Sequence, residues 1–199
     1  MKRRELELAL RAAGRVARET EFFLIGSQAI HAYCRRPPAE VLLSQECDLY
    51  PRNRPETANL LDSQLGRGTR FARQRGFYVD VVTPEIASLP AGWQSRLKRF
   101  RVGRITALCL EVHDLVVSKL AAGRLKDLEF VGALFRTHLA DPKVVIPDRS
   151  FVLALDFAEN DFNTPLRSRK SAVAPSRPTP KRNRPATTPE EEKPVQITP

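Results

Sequence analysis

No run of this sequence is apolar for anything like the roughly 20 residues that a bilayer-spanning helix needs, which excludes a membrane-embedded class. Cysteine is scarce as well: Cys34, Cys47 and Cys109 are an odd number, widely spaced and set in apolar segments. That pattern fits reduced core thiols and excludes a disulfide framework or a cysteine-rich zinc site. His31, His113 and His138 have no metal-ligand spacing among themselves and read as packing or capping residues. The N-terminal MKRRELELALRAAGR begins with basic residues, but Glu5, Glu7 and Arg11 interrupt any signal-peptide core. A soluble, cytoplasmic protein is expected.

The last 37 residues lack glycine and aromatic groups altogether, yet hold 8 of the 16 prolines and 8 Lys/Arg against 3 acids. Such a composition buries too little apolar surface to offset its ordering entropy. Residues 163–199 are therefore expected to be a disordered, basic, Pro-rich tail, and 1–162 the folded part. Half of the formal charge of +10 sits in that tail. The pI of about 10.1 and the run KRNRP from Lys181 to Pro185 suggest contact with RNA or DNA, the alternative being a solvated linker.

Within 1–162 the periodicity predicts a helix from Arg4 to Arg18 and a short strand from Glu21 to Ile25. SQAIHAYC suits a helix with Ser27 near its N-cap, ended by Pro37-Pro38. A strand from Gln45 to Tyr50 stops at Pro51, and a helix from Glu56 to Gly66 follows. Phe77 to Val82 is a β-branched strand, and two short strands split by Gly103 lie within Phe100 to Val112. From His113 to Leu139 the pattern is helical, with a bend or break at Gly123. The expected fold class is α/β: a small mixed β-sheet core over about 20–112, a helical segment over about 113–139, then the tail.

Three features of that core carry chemistry. A strand entering Gly26-Ser27 and then a helix presents backbone N–H groups to an anion. In QECDLYP, Glu46 and Asp48 project from one strand face while Cys47 points away, and two adjacent carboxylates repel unless a cation lies between them. Asp80, inside FYVDVV, needs a cation or a hydrogen-bonding partner if it is buried, a salt bridge to an arginine being the bland alternative. Converging, the three acids would hold one or two magnesium ions. Trp93 reads as a core anchor. Ser27 lacks the G-x-S-x-G surroundings of a nucleophile.

The order of these parts, FFLIGSQAI, QECDLYP and FYVDVV, resembles the DNA polymerase β-like nucleotidyltransferase superfamily. The later HDLVVSKLAAGRLKDLEF resembles more narrowly the bacterial nucleotidyltransferase-like proteins related to AbiEii-type abortive-infection toxins. The resemblance implies transfer of NMP from an NTP to a hydroxyl of RNA, tRNA or protein, in a toxin–antitoxin or phage-defence setting with an antitoxin-like protein partner. It implies metal ligation by Glu46, Asp48 and Asp80 with two Mg2+ ions, or Mn2+ in their place, and Asp80 and Lys119 as catalytic groups. Nucleotide binding falls to Gly26, Ser27, Lys119, Arg124, Lys126 and Asp127. Arg124, Lys126 and Asp127 read equally as a structural network in which Asp127 ties down Lys119 or Arg124, and Lys119 as a lysine snorkelling at the sheet rim. The chain departs from the superfamily at Glu46, where aspartate is usual. An inactive nucleotidyltransferase-like module, or a nucleic-acid-binding protein working through its tail, are the alternatives.

Removing residues 163–199 is expected to leave the melting temperature nearly unchanged while weakening RNA association at low salt. Melting curves and filter binding read the two effects. Loss of folding on truncation would show that the arm docks on the body, and undiminished RNA binding would remove its role.

Overall fold

The computed structural model describes residues 1–145. The predicted tail over 163–199 and the end of the expected folded part, 146–162, lie outside the described residues.

Helix α1 (Arg3–Ala17) opens where the Glu5 carboxylate accepts the Lys2 backbone N–H at 2.6 Å, and it buries Leu6, Ala9, Leu10, Ala13 and Ala17. Five strands follow: β1 (Glu21–Leu24), β2 (Glu46–Pro51), β3 (Tyr78–Val81), β4 (Lys98–Val102) and β5 (Ile105–Cys109). They form one mixed sheet in the order β3-β2-β1-β5-β4. β1 runs antiparallel to β2 and parallel to β5, β2 is parallel to β3, and β4 is antiparallel to β5. The α/β class expected from the sequence is therefore the observed one.

Alternation divides the sheet into two faces. Phe22, Leu24, Cys47, Leu49, Val79, Ala107 and Cys109 are buried and join the core with α1 and with α2 (Ala58–Leu65), which contributes Leu61 and Leu65. Phe23, Glu46, Asp48, Tyr78 and Asp80 occupy the other face, where Phe23 meets the buried Trp93 edge-to-face at 5.4 Å. Glu19 is a buried carboxylate that accepts the backbone N–H groups of Thr20, Glu21 and Asn53 at 2.6–3.0 Å, fixing the turn between α1 and β1.

Three helices follow β5 in the described chain, the last a short one, α6 (Pro142–Val145). α4 (Val112–Ala122) starts on the Glu111 side chain, which accepts the N–H groups of His113 and Asp114, and ends at Gly123 with φ 62°. That left-handed residue turns the chain into α5 (Leu125–Arg136). Arg96 clamps α4 through a bidentate pair with the buried Asp114, both contacts at 2.8 Å.

The differences from the sequence reading are local. SQAIHA is a six-residue 3-10 helix (Ser27–Ala32) capped by Gly26, so the α-helix expected there is absent and so is a full helix dipole behind Gly26-Ser27. Pro51 is the last residue of β2, not its stop. A short basic helix, α3 (Arg70–Arg75), precedes β3; its RFARQR offers no apolar stripe by which periodicity could find it.

Candidate functional site

The register of β2 against β3 builds the centre. Asp48 lies directly opposite Asp80, and Glu46 opposite Tyr78, so the three acids share one face. One carboxylate oxygen from each of Glu46, Asp48 and Asp80 lies within 4.8 Å of the other two. Gly26 makes this packing possible. A Cβ built there would fall on the Asp48 Oδ2 atom and sit 2.8 Å from the Asp48 Cβ. With φ −88° and ψ −165° the Gly26 backbone suits any residue. Glycine is needed because a carboxylate occupies the space of its missing side chain.

Cations reach the acids from the α4–α5 corner. The Lys126 Nζ donates to Glu46 Oε1 at 2.8 Å and the Tyr78 hydroxyl donates to Oε2 at 3.1 Å, so both Glu46 oxygens have protein partners. Asp127, buried, is bridged by Lys119 at 2.9 Å and by Arg124 at 2.5 Å. Asp127 thus ties down both cations at once, in the manner of the network reading. Ser27 is buried, and its Oγ accepts from the Gln28 side-chain amide at 3.3 Å.

Burial pushes the Asp48 carboxyl up to about 6; the Lys119 charge opposes the shift, while Glu46 and Asp80 reinforce it. Asp80 is raised by burial and by the charges of Glu46 and Asp62. Burial would raise Glu46 too, but the bond from Lys126 and the Tyr78 hydroxyl outweigh it and hold that carboxyl below its usual range. The bonds from Arg124 and Lys119 do the same for Asp127. Three hard oxygen donors, two of them reluctant to ionise side by side, form a donor set that fits a divalent cation such as magnesium. An ion there would be held by Glu46, Asp48 and Asp80.

Two cavities flank this centre. One, of about 430 Å³, is lined by Gly26, Asp48, Asp80, Ser88, Ser118 and Arg124 among others. The second, of about 360 Å³, is lined by Ser27, Ser44, Arg67, Tyr78, Lys126 and Phe130 among others. Glu46 and Lys119 line both.

The residues singled out in the sequence thus gather within two adjoining cavities. Gly26, however, meets Asp48, and Ser27 meets Gln28, where the sequence suggested an open phosphate cradle. Sequence reasoning missed Tyr78, Arg67, Ser88 and Ser118. Tyr78 had a signal, since it stands two residues before Asp80 and period two puts both on one face. The others come from loops and helix faces whose approach only the tertiary fold sets.

Asp48 generates a pH prediction. A carboxyl whose folded pKa exceeds its unfolded value holds its proton more tightly when folded, so the apo protein loses stability as pH rises from about 3.8 through about 6. Asp48→Asn removes that loss. Its stability advantage over wild type, by urea denaturation without divalent ions, should grow across this window to the order of 1–3 kcal/mol and stay constant above it. An advantage independent of pH would mean that Asp48 titrates like an exposed aspartate.

Residues 14–136, more than half of the chain, match the family described as nucleotidyltransferase of unknown function (DUF6036). No curated protein and no solved structure matches the chain. The matched span runs from within α1 to the end of α5 and takes in the three acids, Gly26-Ser27 and the Lys119–Asp127 corner. The chain therefore belongs to this nucleotidyltransferase family of unknown function.

Proposed function

We propose that the protein is a metal-dependent nucleotidyltransferase that moves NMP from an NTP to a hydroxyl of RNA or protein. The observation that supports this best is the convergence of Glu46, Asp48 and Asp80 within 4.8 Å beside two lysines and two cavities. Magnesium or manganese, bound as one or two ions by these acids, would neutralise the triphosphate and polarise the α-phosphate. Lys119, held by Asp127, would offset charge on the departing pyrophosphate. Asp80 accepts the proton of the attacking hydroxyl. Its oxygen bonds to the α-phosphorus as the bond to the β-phosphate oxygen breaks, and pyrophosphate leaves with the electron pair. Lys126, more than half exposed, would leave Glu46 if a cation took its place and would then be free for the phosphates. The resemblance to AbiEii-type toxins suggests a cytoplasmic toxin–antitoxin setting with an antitoxin-like protein partner.

One observation favours a second reading, an inert nucleotidyltransferase-like module: both Glu46 oxygens are taken by Lys126 and Tyr78, which could close the site to a metal. Two substitutions separate the readings, with label transfer from each of the four NTPs measured in magnesium and manganese. Asp48→Asn should abolish transfer, by a factor of at least about 100 given the size of metal-linked electrostatic effects. Glu46→Asp, with the superfamily's usual acid, should keep or raise activity. Wild type and both variants giving the same blank in every combination would overturn the enzyme reading.

A further inference from the structure

Away from the acids, a third cavity, of about 350 Å³, lies between β4, the end of the 3-10 helix and the start of α1. Arg3, Arg35, Arg99 and Arg101 line it, and no carboxylate of the described residues does. The cations continue past its rim. The Arg11 guanidinium lies beside Gly103 in the β4–β5 turn, which also carries Arg104, and Lys98 opens β4.

These charges differ from those at the metal site. There Lys119, Arg124 and Lys126 are each held by an acid. Here Arg11, Arg35, Arg99, Arg101 and Arg104 are exposed, and among the described residues none of them has a carboxylate partner. Of the four lining arginines only Arg3 has one, Glu7 at 3.5 Å. Packing does not call for the cluster, since the buried side of β4 is supplied by Phe100 and Val102. Arg99 and Arg101, as alternate residues, leave the strand on one side about 6.7 Å apart.

The form of this face narrows the partner. Both rings in the cavity wall already meet a cation, Phe100 under Arg3 at 4.5 Å and Tyr33 under Lys98 at 4.4 Å. Charge is therefore offered here more than stacking surface, and contacts to phosphates carry no base information. Matching a row of unpaired guanidiniums takes a chain with a fixed negative charge at every repeat. A phosphodiester backbone has that, whereas a polypeptide has it only as an unbroken acidic run, and lysine and arginine on an edge strand discourage addition of a further strand. A membrane surface would be met by apolar side chains as well, but the exposed large apolar residues, Leu43, Leu60, Ile86, Leu125 and Val144, all lie outside this cavity.

We infer that the β4 face is a docking surface for a nucleic-acid strand, held through its phosphodiester backbone without regard to base sequence. The inference goes beyond the transfer reading and stands without it, since β4 lies three strand spacings, about 14 Å, from β2 and its acids.

The test titrates the full chain into labelled single-stranded RNA and DNA oligonucleotides of two unrelated sequences each, with anisotropy read over a series of salt concentrations. Wild type should bind both sequences of each kind with Kd values within about threefold. Arg99→Gln with Arg101→Gln removes two phosphate contacts, which should make log Kd against log salt shallower by about 1.4 and raise Kd about 10–30-fold near about 0.1 M salt. Arg99→Lys with Arg101→Lys should keep the wild-type slope, because the charges remain. The same loss of charge from exposed residues of α3, Arg70→Gln with Arg73→Gln, should change Kd by less than about threefold if contact is local. A wild-type slope in the Arg99/Arg101 glutamine pair would put the binding elsewhere and overturn the inference. Equal losses in the two glutamine pairs would overturn it as well, by showing that only net charge matters. Tighter binding of poly-glutamate or of phosphatidylserine vesicles, with the same dependence on Arg99 and Arg101, would give the face to another partner. Absence of oligonucleotide binding would remove the docking surface while leaving the transfer reading to its own assay.

Discussion

Mutual repulsion among three carboxylates is the constraint to which the site's surroundings answer. The pairing of β2 with β3 sets Asp48 opposite Asp80 and leaves Glu46 one step along the same face. Such a cluster is unfavourable for a bare protein, and burial adds to the penalty at Asp48. Even its space is taken from a neighbour, since Asp48 lies where a side chain at position 26 would be. A divalent cation bound among the three would relieve that repulsion.

The α4–α5 corner supplies the remaining compensation. Gly123 reverses the chain so that Lys119 from one helix and Asp127 from the next meet at 2.9 Å. Arg124 and Lys119 hold Asp127 in its charged form, and Asp127 in turn fixes where the lysine's charge sits. Lys126, one residue earlier, reaches across to Glu46. Positive charge is therefore stationed around the acids in two ways: Lys119 is anchored by a buried partner, with 15% of its side chain exposed, and Lys126, paired with Glu46, is 57% exposed. That difference suits the proposed handling of a cation and a polyphosphate together.

Much of this was legible in the sequence, for reasons that can be named. Period-two spacing put Glu46 and Asp48 on one face, and β-branched residues around Asp80 marked a strand, so three acids on strands followed from local pattern. The strand split at Gly103 and the helix break at Gly123 came from glycine punctuation. What local pattern could not give was register and approach. Nothing near Gly26 says that its missing Cβ makes room for Asp48, a residue 22 positions away. The 3-10 geometry of Ser27–Ala32 belongs to the same class, since a short segment buried among α4 and the sheet is shaped by tertiary packing as well as by propensity. Tyr78 and Arg67 join the site through strand pairing and a loop.

The central claim is that Glu46, Asp48 and Asp80 hold a divalent cation in exchange for Lys126. Crystals of the full-length protein soaked in manganese, with data collected for anomalous scattering, test it most directly. The account predicts an anomalous peak in contact with all three carboxylates and the Lys126 ammonium moved off Glu46. Manganese absent from the acids, with Lys126 and Tyr78 still bonded to Glu46 at saturating metal, would contradict it.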